Sequence, residues 1–175
     1  PALEFMMAMF SFWRDRSHFT EGRRWLDQAI SVYLEPTAAR ANLLHAASEF
    51  YRVQGDFSGA LALGEETLSI SKGIGDEAGV YKAMDVLAIL SGMQRDYARA
   101  AELLEQVLDY RRRTRDDFRI TPTMNNLAIA ARRMGNFERA KELYEETISI
   151  SEETGNLKSL GHALNGLSEV YVELK

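Results

Sequence analysis

The chain has 175 residues, 46% of them apolar, and carries 21 basic against 26 acidic side chains for a net charge of −5. The apolar share is enough to bury a core and argues against disorder, while the acidic balance lacks the broad positive field of a nonspecific nucleic-acid binder, so direct nucleic acid contact is not expected. The absence of cysteine removes disulfides, thiolate nucleophiles and cysteine-ligated zinc together, and suits a reducing, cytoplasmic setting.

In chain order, the first stretch to read is Phe5 to Trp13, the longest apolar run. It falls well short of the ~20 residues of a membrane span and ends at Arg14, so no membrane crossing is expected. Phe5, Phe10, Phe12 and Trp13, joined by Met6, Met7, Met9, Phe19 and Trp25, exceed what one helical hairpin can bury against a single neighbour. This end is expected to pack against an upstream domain, with a partner or homodimer surface as the alternative. The opening on Pro1, and the end at Leu174-Lys175 without a capping unit, read as a piece of a longer multidomain protein.

The remainder is organised by self-similarity. Gly135-Asn136-Phe137-Glu138-Arg139-Ala140 repeats Arg95-Asp96-Tyr97-Ala98-Arg99-Ala100, and both repeat Gly55-Asp56-Phe57-Ser58-Gly59-Ala60, with a worn copy at Ser17-His18-Phe19-Thr20-Glu21-Gly22. A fixed period near 40 residues signals a helical repeat array. Met124, Leu127, Ala128, Ala131 and Met134 form the apolar stripe of a first helix, and Ala140, Leu143, Tyr144, Thr147 and Ile148 that of a second. Ala140, Ala100, Ala60 and Gly22 share the position where paired helices approach closely. The predicted units are about 1–35, 36–75, 76–115 and 116–155, followed by a terminal helix over 156–175, all in one repeat domain. Pro36 is placed to start the second unit's first helix. At Pro122 the spacing predicts a helix that begins near Thr121 or kinks there.

A helical angle of about 100° per residue sets a second face opposite each first-helix stripe. Stacking the copies there puts His45, Asp85, Asn125 and Asn165 in one row and Glu49, Ile89, Ile129 and Glu169 in another. A third row holds Arg14, Arg52, Gly92, Arg132 and Val172. Amide, charged and aliphatic side chains in this mixture suit an extended peptide. Ordinary solvated faces, or Asn125 and Asn165 as ties between repeats, are the competing readings.

Other constellations carry little chemistry. Gly73-Ile74-Gly75-Asp76-Glu77-Ala78 follows a helix where a dinucleotide fingerprint needs a strand, so it reads as a turn. His18, His45 and His162 lie on different units without an i, i+4 partner histidine, and no metal site is expected. Arg111-Arg112-Arg113 closes a helix whose negative dipole end it complements. No nucleophile, acid/base pair or cofactor motif converges, so neither an enzyme nor a cofactor is expected.

Leu127-Ala128, Gly135, the aromatic Phe137, Ala140 and Tyr144 together resemble the tetratricopeptide repeat. The longer period, with Asn125-Asn126-Leu127-Ala128 and Ala163-Leu164-Asn165-Gly166-Leu167, is similar to the variant of kinesin light chains and large bacterial signalling regulators. Phe12-Trp13-Arg14 through Trp25-Leu26 resembles the segment that opens the array in MalT-like and large LuxR-type regulators. The resemblance implies an all-α fold, a right-handed superhelix of about four hairpins plus a final helix. It also implies a non-catalytic sensor beside a nucleotide-binding switch and a DNA-binding domain, taking a peptide, a protein segment or a small inducer. A structural scaffold or oligomerisation module with an empty groove is the alternative.

Overall fold

The structure, a computed structural model, describes residues 2–175, apart from the side chains of residues 2–8 and of Asp117. The helices are α1 (Ala2–Asp15), α2 (Phe19–Val32), α3 (Ala38–Val53), α4 (Phe57–Gly73), α5 (Glu77–Met93), α6 (Tyr97–Thr114), α7 (Asp117–Arg133), α8 (Phe137–Thr154) and α9 (Leu157–Glu173). No strand occurs among the described residues, and the fold is the expected all-α helical repeat.

Several turns share one chemical device. A residue in the left-handed region ends one helix and an Asp or Asn caps the next. Gly135, at φ +80, is followed by Asn136, whose side chain accepts the N–H of Arg139 at 3.3 Å. Asp56 accepts from Gly59 at 3.0 Å, Asp96 from Arg99 at 3.1 Å and Asn156 from Ser159 at 3.2 Å. Each cap satisfies one of the donors that a helix start leaves unpaired. His18 and Asp116, in the corresponding places, make no such bond.

Contacts divide the chain into two compact units, Pro1–Leu90 and Ser91–Lys175. In the first, α1 packs on α2 and α3, and α3 on α4. Trp13, Leu26, Leu43, Ala46, Ala47 and Phe50 form its main core. Gly22 lies under Phe50, where an added Cβ would stand 2.2 Å from Cε2, so the repeated small position is a close-approach site. Arg40 is buried too, donating to the Ile30 carbonyl at 2.9 Å and to Glu66 at 2.6 Å, which ties the end of α2 to α4.

In the second unit α7 packs on α6, α8 and α9, and α8 on α9. Met124, Leu127, Ala128 and Ala131 are all at most 3% exposed, as are Ala140, Leu143 and Tyr144 of α8. These parts of the stripes are the surfaces the two helices bury, whereas Met134, the last member of the predicted stripe, is the C-cap of α7 and is 47% exposed.

Two helix starts differ from the sequence expectation. Pro36 precedes the cap of α3; Thr37 is the N-cap, its hydroxyl accepting from the Arg40 N–H at 3.3 Å. α7 begins at Asp117 and runs through Pro122. An interior proline costs about 3 kcal/mol, and tertiary ties on both sides offset it. Arg111 donates to the Arg119 carbonyl at 3.0 Å and to the Thr123 hydroxyl, and Thr121 meets Ser159 Oγ at 3.1 Å.

Candidate functional site

The predicted site residues of the first unit lie on α3 and α5. His45, Glu49, Arg52, Asp85 and Ile89 are each half-buried. Arg52 donates to Glu49 at 2.8 Å, one turn earlier on the same helix, and its Nε–H is buried without a partner. Burial, and then the Lys82 charge, pushes the His45 pKa down to about 3, so its ring is neutral near pH 7.

Of the predicted interface aromatics, the Phe5 side chain lies outside the described residues. Trp13 is 3% exposed and belongs to the core. Phe10 stacks on Phe50 with centroids 5.0 Å apart. Phe12 is 48% exposed and stacks on His18 at 5.8 Å, so among these four it presents the described free surface.

The second unit gathers its candidates differently. Ile129 and Arg132 of α7 and Asn165 and Glu169 of α9 line one cavity of about 440 Å³. Arg132 Nη2 lies 2.5 Å from Glu169 Oε2, a pair linking the two helices. Asn165 Nδ2 approaches the other Glu169 oxygen at 3.4 Å. Asn125 does not join them. It is 4% exposed and its Nδ2 donates to the Ser159 carbonyl at 3.1 Å, while its Oδ1 is buried and unpaired beside a second cavity of about 300 Å³ that Phe118, Pro122 and His162 also line.

The first cavity also uses residues that the repeat reading set aside. Tyr144 of α8, read as packing, lines it as well, and Gly161, His162 and Gly166 of α9 and Arg133 of α7 complete the wall. Burial raises the Tyr144 pKa, with the nearby Arg132 charge opposing that rise. The signal available in the sequence was the two glycines inside α9, each costing a helix interior about 1 kcal/mol relative to alanine. The arginine cluster is used within the unit: Arg111 as described above, and Arg112 in a 2.6 Å pair with Glu146. Among the described residues no group of His, Asp and Glu could hold a metal ion, and no helix is long and apolar enough to cross a membrane.

Capped helical hairpins with close-approach residues at the repeated positions define a protein of tetratricopeptide-like fold. In agreement, residues 82–117 and 123–154 match the tetratricopeptide repeat family. Among curated proteins none matches this sequence significantly. Solved structures share the fold at low identity. One holds the nearly identical tetratricopeptide-like repeats of a kinesin light chain-type protein from Podosopora anserina (19% identity, 97% of this chain and 85% of that one, TM-score 0.82). Another is a signal transduction ATPase with numerous domains from Pyrococcus horikoshii, which carries a tetratricopeptide repeat sensor (20% identity, 94% of this chain and 27% of that one, TM-score 0.75). A third is a Rap protein complexed with Competence and Sporulation Factor (15% identity, 98% of this chain and 48% of that one, TM-score 0.76).

Proposed function

We propose that the chain is a non-catalytic binding module that captures an extended peptide or protein segment beside α7 and α9, as the cytoplasmic sensor part of a multidomain bacterial regulator. One observation carries this reading: Ile129, Arg132, Asn165 and Glu169, drawn from three repeat rows, line one cavity with an aliphatic, a cationic, an amide and an anionic group. That set can cover a side chain and pair with a backbone at the same time. A small inducer with peptide-like groups would use the same cavity. Two structural neighbours give support by analogy, one having such repeats as a sensor and one being complexed with a factor. A ligand held this way acts on adjacent domains by preferring one of their states.

Selection of a displayed random-peptide library on the purified chain tests the reading. A shared motif is expected to enrich, and to be lost on Ile129→Asp and Arg132→Ala variants that keep their helical circular dichroism. Failure to enrich any motif above a blank surface would instead support the scaffold alternative. The regulator context predicts a phosphate-binding loop and a helix-turn-helix in the flanking gene sequence; their absence there would refute it.

A further inference from the structure

One flank of α9 carries an unbroken apolar seam. Leu157, Leu160, Leu164, Leu167, Tyr171 and Leu174 follow one another at intervals of three and four residues, the spacing that keeps one stripe facing a second helix along its whole length. The structure leaves this seam open. Leu157 is 77% exposed, Leu164 51%, Tyr171 46% and Leu174 42%, and Leu160 and Leu167 are half-buried. Among the described residues α9 packs on α7 and α8 alone, and it buries Ser159, Ala163, Gly166 and Val170, on the adjoining side of the helix. One repeat earlier the same positions, Ile120, Met124, Leu127 and Ala131, are at most 7% exposed on α7, which packs on three helices, α6, α8 and α9. The seam therefore continues a surface that another helix covers elsewhere in this fold.

The chemistry of the seam limits what can cover it. Tyr171 is its one polar member, and the Tyr171 hydroxyl already donates to Glu145 Oε1 at 3.4 Å. An occupant must therefore be an apolar helix stripe that brings no polar group to the centre, and a second α9 is such a stripe. Set antiparallel about a two-fold axis between Leu164 and Leu167, two copies place Leu164 of each against Leu167 of the other, Leu160 against Tyr171 and Leu157 against Leu174, so every member of the seam finds an apolar partner. The flanking residues Gly161 and Ser168 are small, and even a Cβ on Gly161 would meet no atom within 4 Å, which lets two helices approach closely. The exposed part of the seam amounts to about 500 Å² per copy, less than the ~800 Å² of a standard interface and within the range of weak, reversible pairs.

We propose that α9 is a self-association surface, through which two copies of this chain pair antiparallel and reversibly. The proposal goes beyond the peptide-binding reading and does not depend on it. Asn165 and Glu169 lie about 100–140° around the helix from Leu164, so the cavity that they line against α7 stays open in the pair. Two modules joined in this way hold two ligand segments at once, and linked segments then gain avidity.

Sedimentation equilibrium of the purified chain is expected to show a monomer–dimer equilibrium with a dissociation constant on the order of 100 μM. Leu164→Glu, at an exposed position, is expected to weaken it at least about tenfold while helical circular dichroism is kept. Phe12→Glu, on the exposed aromatic of α1, is expected to leave it unchanged. A monomer mass up to about ten times the expected dissociation constant overturns the proposal, and so does a dimer that Phe12→Glu disrupts and Leu164→Glu does not. Cross-linking reads the geometry without placing a charge in the seam, because the chain contains no cysteine. Under mild oxidation, a mixture of Leu164→Cys and Leu167→Cys chains is expected to form the mixed disulfide in preference to either homodisulfide. A preference for the homodisulfides, or no disulfide above that of an exposed cysteine outside the seam, refutes the antiparallel pair.

Discussion

The side-chain amide of Asn125 donates to the main-chain carbonyl of Ser159, joining the middle of α7 to the first turn of α9 through a buried 3.1 Å hydrogen bond. Asn165, one repeat later, is exposed and approaches Glu169 on its own helix. The two asparagines of one predicted row therefore have different mechanical roles.

Asn125→Ala is expected to lower the stability of the second unit by about 1–3 kcal/mol, because it leaves the Ser159 carbonyl without that donor. Asn165→Ala is expected to stay within about 0.5 kcal/mol, as surface changes usually do. Urea unfolding of both variants separates them. An equal loss at the two positions would count against the tie.

Gly166→Ala is expected to destabilise by about 1–3 kcal/mol, the usual range for overpacking, because its Cβ would sit 2.2 Å from Tyr144 Cζ. Gly161→Ala is expected to gain about 0.5–1 kcal/mol, since it stiffens a helix interior and meets open space. Tyr144→Leu in the Gly166→Ala background is expected to restore most of the loss, and a thermal melt of the double variant reads that rescue.

Arg95 ends α5 at φ +65, a conformation that costs a side-chain-bearing residue about 1–2 kcal/mol. Arg95→Gly is expected to raise the melting temperature by about 2–4 °C, the shift corresponding to roughly 1 kcal/mol for a chain of this size. Calorimetry would reveal a drop instead if the arginine side chain made a stabilising contact there.

Acidification is expected to weaken the first unit well above the carboxylate range. His45 titrates near 3 in the fold and near 6.5 when unfolded. Between those values the unfolded chain binds the additional proton, so stability is complete above about 6.5 and falls as the pH drops toward 3, by on the order of 3 kcal/mol at pH 4. Asp56, held below its ordinary 3.8 by the Gly59 N–H and by Arg23, contributes fully above that value and loses its contribution only as the pH falls further. His45→Gln is expected to flatten the stability profile between pH 6.5 and 4. An unchanged slope in urea unfolding at those pH values would rule out this role.

The architecture was legible because period and capping are local. Asp56, Asp96 and Asn136 cap the helices that their spacing implies, and the Met124, Leu127, Ala128 and Ala131 stripe is buried where 3.6-residue periodicity puts it. The start of α7 was not legible, because Arg111 and Ser159, on other helices, hold the turns around Pro122. Tyr144 was read as a packing residue. It is one, yet it also lines the cavity, and its ring end fits there only because Gly166 has no side chain.

The sequence by itself determined the fold class, the succession of paired helices and the faces they bury, since these follow from interactions within one or two turns of a helix. Only the tertiary structure decided which outward residues form a site. A row on a helix specifies an angle about its own axis. Whether that angle meets a cavity or a neighbour depends on side-chain sizes on two other helices, and so Asn125 became a tie while Arg132, Asn165 and Glu169 came together around Tyr144.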